Sequence, residues 1–294
     1  MSFKSLAQSL RFLCLAFIPL GGRVETLYRT LSDTNSLCRE KLYLNLGYWR
    51  DNPSNLDAAA QSLADLCART ALLSESDTVL DAGFGFGDQD IFWIEKYNPR
   101  VIYGVNISPE QVVKAKGHIN ERGLESRIRL SEGDATRLLF PEAMFDVVIA
   151  MESAFHFRTR EDFFREAYRV LKPGGRFVLA DLAASSNPLA LKDRIAETIG
   201  RSFWQIPREN LYPIETYRKK LELNGFNPVD ARSIWSDVYP KFVDYARVRL
   251  RDKDIARRMN PLYRRMLASS LKARRRLSQK AMDYLLVVAI KPGP

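Results

Sequence analysis

The stretch Thr78-Val79-Leu80-Asp81-Ala82-Gly83-Phe84-Gly85-Phe86-Gly87, running on into Asp88-Gln89-Asp90-Ile91-Phe92-Trp93, decides the fold. An apolar run of strand type ends at Asp81, glycines then occupy every second position, and a helix-like segment follows. Glycine in a strand-to-helix turn removes the Cβ atoms that would keep a ligand away from backbone N–H groups, and a helix start favours negative charge. A ligand of nucleotide size normally requires such a floor; glycines kept for tight packing are the plain alternative. The fingerprint of nicotinamide dehydrogenases places its third glycine three residues after the second. Here Gly87 comes two after Gly85, and Asp88 stands at the required place, which speaks against that class.

Outward from this turn, short apolar strands alternate with helices. Strands are expected over residues 78–81, 101–105, 128–132, 145–150 and 176–181, with helices over 89–96, 109–122 and 160–171. Continuous apolar strands alternating with helices predict an α/β fold, a Rossmann-like, seven-stranded and mostly parallel sheet covered on both faces. Upstream, Leu56, Ala60, Leu63, Leu66 and Leu73 fall near helical spacing, with Ser54 or Asn55 as the N-cap. Downstream, residues 183–212 carry no strand pattern and include Phe203, Trp204 and Tyr212, as a lid or insertion would. A helix from Pro213 to Gly225, a strand near 228–234, an Arg-rich helix opened by Asn260-Pro261 and a buried strand over 282–290 complete the chain. The expected organisation is an N-terminal helical cover over 1–55, a ligand-binding core over 56–182, and lid helices with the last strands over 183–294.

Composition narrows the function. The 294 residues include two histidines, His118 and His156, too few for a histidine-rich metal site, and no metal is assigned. Three cysteines, Cys14, Cys38 and Cys67, share no ligand spacing, and an odd count points to a reduced, cytoplasmic setting. The formal charge of +10 is local: 14 Lys/Arg against 3 Asp/Glu lie between Lys241 and Lys280, and the rest is near neutral. That segment reads as a solvated face, as a contact for an anionic membrane surface, or as a site for an acidic substrate or partner. The apolar stretch from Phe12 to Leu20 is too short to span a bilayer and lacks a clean cleavage site. It is read as a cap helix; a peripheral membrane-contacting helix, at the inner face of a membrane, is the second reading, and a secretory signal the third. Oligomeric state has no signature here.

In an open parallel sheet, ligands sit outside the carboxyl ends of the strands. Those ends carry Asp81 with Gly83, Gly85 and Gly87; then Asn106, Ile107 and Gln111; then Asp134 and Ala135; then Met151, Glu152 and His156. Together with Tyr43-Leu-Asn-Leu-Gly-Tyr-Trp49, Gln89-Asp90-Ile-Phe-Trp93 and Leu171-Lys-Pro-Gly-Gly175, the pattern resembles the class I S-adenosyl-L-methionine (SAM)-dependent methyltransferases. Within them it is similar to the small-molecule type of natural-product pathways, macrolide-sugar O-methyltransferases included. The resemblance covers nearly the whole chain and implies SAM as cofactor.

It also implies roles. The glycine loop would face the cofactor's amino-acid portion and ribose, with Asp81 fixing the loop or the ammonium. Asn106 stands where the family usually has an acidic residue for the ribose hydroxyls; its side-chain carbonyl can serve one of them. Gln111 would reach the ribose or carboxylate, and Asp134 and Ala135 the adenine. Tyr43, Tyr48 and Trp49 would form an N-terminal cover, although Tyr48 and Trp49 read equally well as core aromatics.

Methyl transfer to an alcohol needs help in removing the hydroxyl proton, and His156 is the expected general base, with a pKa suited to neutral pH. Glu152 would orient His156 or bind the acceptor; a histidine satisfied by a backbone carbonyl is the bland alternative. The reaction expected is O-methylation of a small, lipophilic secondary metabolite. The runner-up is C-methylation of an isoprenoid or sterol-like acceptor, with Glu152 stabilising a cation. A methyltransferase-shaped scaffold or cyclase is a further reading, which the placement of His156 disfavours. Nucleic acid is disfavoured too: Glu152-Ser153-Ala154-Phe155 replaces the Asn/Asp-Pro-Pro-aromatic loop of amine-modifying enzymes, and no cysteine follows Cys67.

Overall fold

The computed structural model describes residues 37–187 and 205–293. The central strand, β1 (Thr78–Ala82), is buried along its whole length. It pairs in parallel with β2 (Val101–Asn106) on one side and β4 (Phe145–Met151) on the other. Outside β2 lies β3 (Ile128–Glu132), and outside β4 lies β5 (Leu171–Ala184), both parallel to their neighbours. The last strand, β7 (Met282–Ile290), inserts antiparallel between β5 and β6 (Val229–Ser233), giving a seven-stranded sheet of order β3-β2-β1-β4-β5-β7-β6.

Alternation along each strand divides the core. Val79, Val147, Ile149 and Val178 face one layer. There they meet the helices α1 (Leu56–Thr70), α2 (Asp88–Tyr97) and α3 (Pro109–Glu121). Leu80, Val148, Ala150 and Leu179 face the opposite layer. That layer is built from α4 (Arg160–Val170) and α5 (Ile214–Leu223). Successive Cβ atoms point to opposite sides of a strand, so one continuous apolar run supplies both layers.

Local chemistry sets the helix ends. Asn55 caps α1, its side chain accepting from Ala58 N. Thr159 and Asp162 form a capping box that starts α4. The start and type of each core helix agree with the sequence reading to within a residue. Three features differ. Residues 37–55 contain no helix, so the described part of the N-terminal cover is irregular chain. Strand β5 begins at Leu171, five residues earlier than expected, across an irregular register opposite Phe145 and Val147. An unanticipated helix, α6 (Trp235–Arg249), carries Pro240 inside it.

After α6 come α7 (Lys253–Arg258) and α8 (Pro261–Ala281). Together with residues 37–60 they form a third, smaller core containing Leu37, Tyr43, Trp49, Phe242, Tyr263 and Leu267. Part of the basic segment is structural: buried Arg249 donates to Leu37 O and to both Asp252 and Asp254. Lys241 Nζ donates to Trp49 O at 2.8 Å. The apolar stretch around Phe12, the lid residues Phe203 and Trp204, and the side chains of 272–280 lie outside the described residues. Among those described, no helix is long and apolar enough to cross a membrane.

Candidate active site

The glycine loop leaves β1 with Gly83 at φ +93° and Gly85 at φ +58°, both in the left-handed region. At Gly83 a Cβ would sit 2.4 Å from Ser153 Cβ, so the turn after β4 packs directly on bare backbone. Ser153 Oγ donates to Ala82 O at 2.5 Å, locking the two turns together. A Cβ at Gly85 would meet only the Leu44 side chain, at 3.3 Å. Gln89, in the first turn of α2, donates to both Asp81 Oδ2 and Phe84 O at 3.0 Å and ties the helix back to the loop.

Asp81 and Asp90 are both fully buried. Burial pushes the Asp81 carboxyl up to about 7, against the hydrogen bonds it receives from Gln89 and Asp90. Asp90 is raised well above the usual carboxylate range, first by burial and then by the Asp81 charge. Two carboxylates this close cannot both ionise cheaply. Asp90 therefore keeps its proton and donates it to Asp81.

At the end of β2, Asn106 is already engaged. Its Nδ2 donates to Gln111 Oε1 at 2.8 Å and to Gly85 O at 3.3 Å, and its Oδ1 accepts from Ser108 N at 3.1 Å. Gln111 Nε2, by contrast, is buried and finds no partner among the described residues. An orphaned buried donor costs roughly 1–3 kcal/mol, and a ligand acceptor would remove that cost. After β3, Asp134 Oδ1 accepts from both Thr136 N and Thr136 Oγ1 at 2.8 Å, which shapes the loop that presents Ala135.

Strand β4 delivers the remaining wall. Glu152 adopts φ +52°, a strained setting for a residue with a side chain. Its Oε1 accepts from Leu46 N and from Tyr284 Oη, each at 2.7 Å. Burial raises its carboxyl to about 7, and these two donors oppose the rise. His156 ends a 3₁₀ turn, Ala154–His156, with the Phe155 ring centroid 4.1 Å from its own. Burial pushes its pKa down to about 3, opposed by a hydrogen bond to the Gln205 backbone. The imidazole is therefore neutral at pH 7, well below the value expected from the residue type alone.

These parts enclose one cavity of about 350 Å³. That lies within the range of small-molecule sites. It is lined by Gly83, Gly85, Asn106, Ile107, Gln111, Asp134, Ala135, Met151, Glu152 and His156. Tyr43, Asp81 and Gly87 stand behind its wall: Tyr43 packs with Trp49 and Leu56, and its hydroxyl reaches Asp88 O at 3.4 Å. Leu44, Asn45, Phe86, Gln89, Arg158 and Gln205 also line the cavity, and strand-end logic did not single them out. Leu44 and Asn45 lie within the Tyr43–Trp49 stretch that carries part of the family resemblance, although no role was given to either, and Gln205 is remote in sequence with no local signal to mark it.

The residues present suit a nucleoside carrying an amino-acid tail. The loop approaches with left-handed backbone, Gln111 offers an unused donor, and the cavity lies at the carboxyl ends of β1 to β4. A methyltransferase-domain family profile matches residues 80–179. Erythromycin 3''-O-methyltransferase of Saccharopolyspora erythraea is 35% identical over 92% of this chain and 91% of its own length. The 27-O-demethylrifamycin SV methyltransferase of Amycolatopsis mediterranei is 31% identical over 69% and 73%. Among solved structures, the (4+2)-cyclase SpnF superposes with a TM-score of 0.74 at 25% identity, covering 92% of this chain and 96% of that one. The match along almost the full length of both chains, joined to a glycine-floored cavity at the strand ends, establishes that the chain belongs to the SAM-dependent methyltransferases.

Proposed function

We propose that this enzyme O-methylates a hydroxyl of a small, lipophilic secondary metabolite, with His156 as the general base. The observation that carries this reading is the placement of a neutral, backbone-anchored imidazole in the same cavity as the glycine loop. The two natural-product methyltransferases it resembles support the substrate class.

Bound SAM supplies a methyl carbon already activated by its sulfonium, so the leaving group needs no acid. Gly83 and Gly85 would present backbone to the cofactor's tail, and Gln111 Nε2 would serve a ribose hydroxyl. Asn106 would act through Gln111, since its own amide is engaged with Gln111 and Gly85. Asp134 and Ala135 would hold the adenine. His156 Nε2 donates to the Gln205 carbonyl, and Nδ1 of the neutral ring is the acceptor for the substrate hydroxyl. A low basicity is adequate here. As the acceptor oxygen takes the methyl group it becomes oxonium-like, and its proton becomes strongly acidic. A ring with a pKa of about 3 can still remove it.

C-methylation through a cation held by Glu152 fits less well. Glu152 Oε1 is occupied by Leu46 N and Tyr284 Oη, and a carboxyl with a pKa near 7 carries only part of a charge at neutral pH.

The test is His156→Gln, assayed with SAM and O-demethyl macrolide-type acceptors. General-base help is worth about 10²–10⁴-fold and shrinks as the base weakens, so turnover falls by about 10²-fold, the low end of that range, while SAM affinity, read by calorimetry, stays the same. Unchanged turnover removes His156 from the reaction.

A further inference from the structure

We infer that Asn210 is a positioning residue for this reaction: it holds the turn that carries His156 and links it to the acceptor side of the cavity. The inference rests on His156 being the base. Asn210 belongs to a 3₁₀ turn, Arg208–Asn210, and is fully buried. Its Nδ2 donates to Phe155 O at 3.0 Å and to Phe157 O at 2.8 Å, the carbonyls on either side of His156. Its Oδ1 accepts from Arg160 N at 3.0 Å, so the one amide bridges the His156 turn and the start of α4.

Behind it stands a buried ion pair. Arg160 Nε lies 3.0 Å from Asp181 Oδ2, and both side chains are fully buried. Arg160 Nη1 donates to Asn210 O at 2.9 Å. Asp181 Oδ1 in turn accepts from Phe155 N at 3.1 Å. The backbone around His156 is thus gripped at Phe155 N, Phe155 O and Phe157 O, and Asn210 supplies two of the three contacts. Five residues before Asn210, Gln205 lines the cavity and hydrogen-bonds to the imidazole itself. One short segment therefore touches the acceptor space, the ring and the backbone that aims the ring. A single side chain with two donors and one acceptor is the fewest atoms that can join those elements, and only Asn or Gln provides the set.

The test is Asn210→Asp, which keeps the acceptor for Arg160 N and the volume but removes both donors. Asn210→Ser leaves one donor on a shorter side chain that cannot span both carbonyls, and adds no charge, in case the first variant does not fold. A misplacement of about 1 Å at a reacting group can cost about 10²-fold, so kcat is expected to fall roughly 10- to 100-fold with SAM affinity unchanged. The protein has two histidines, so imidazole nitrogen NMR signals are readily assigned. The His156 signals move in the variant and those of His118 do not. In a His156→Gln background, Asn210→Ser costs no further turnover, whereas a merely structural role adds its loss in full. Unmoved His156 signals, or full additivity, overturn the inference. Wild-type turnover by His156→Gln alone overturns the base assignment, whereas unmoved His156 signals in the Asn210 variants overturn the positioning of the ring by Asn210, so the two failures are read separately.

Discussion

Asp90→Asn should make the apo-protein's stability less dependent on pH, by an amount set by proton counting. In the folded chain Asp90 holds its proton well above the usual carboxylate range, because it is buried against Asp81. In the unfolded chain the same group titrates near 3.8. Between those limits the folded state binds one more proton than the unfolded state, so the contribution to stability is full below pH 4 and declines as pH rises. The slope is about 1.36 kcal/mol per pH unit for one retained proton. Wherever the folded chain alone holds that proton, the wild type should therefore lose stability with rising pH at about that slope relative to the variant, whose amide can still donate to Asp81. The wild-type curve alone does not isolate this. His156, held neutral down to about 3, works in the opposite direction below its unfolded pKa, and Asp81 and Glu152 add slopes of their own. The difference between the two proteins removes those shared contributions. Urea unfolding at pH 5, 6, 7 and 8 supplies it. If the two stabilities differ by a constant across that range, the retained-proton account of the pair is wrong.

Two further outcomes follow from single side chains. Gln111→Glu keeps the acceptor for Asn106 Nδ2 but removes the unused donor, and SAM affinity should weaken by about tenfold, with turnover at saturating SAM little changed; calorimetry and saturation kinetics check the two parts. Arg160→Met leaves the buried Asp181 carboxylate without its counter-charge, and urea unfolding at pH 7 should show a loss of roughly 3–5 kcal/mol, reduced when Asp181→Leu is added.

The core of the fold could be read from local pattern because the physics there is local. The strand β1, its turn and helix α2 follow from an apolar run, alternating glycines and a helical segment within sixteen consecutive residues. The strand-end rule then named Asn106, Gln111, Asp134, Glu152 and His156, and all five line the cavity. What eluded pattern was set by distance along the chain. Glu152 meets Leu46, 106 residues away, and Tyr284, 132 residues away. Neither partner has a neighbour that announces the pairing. Asn210 lies 55 residues from Phe155 and would pass for an ordinary turn residue. Helix α6 was hidden for a different reason: Pro240 discourages a helix, yet Trp235 and Tyr239, four residues apart on its first turns, stack at 4.4 Å, and Trp235, Val238 and Phe242 are buried. The tuning of His156 was likewise invisible, since desolvation is a property of surroundings and not of residue type.

The antiparallel strand wedged between β5 and β6 has a bearing on the enzyme's birth. Among the described residues, strand β6 has only β7 as a neighbour, and β7 also carries the Tyr284 hydroxyl that secures Glu152. During synthesis, β6 therefore leaves the ribosome with nothing to zip against, and the cavity wall at Glu152 has no anchor on that flank until residues 282–290 arrive. A nascent chain halted before them would display an unpaired edge at β5 and lack the Tyr284 hydrogen bond to Glu152.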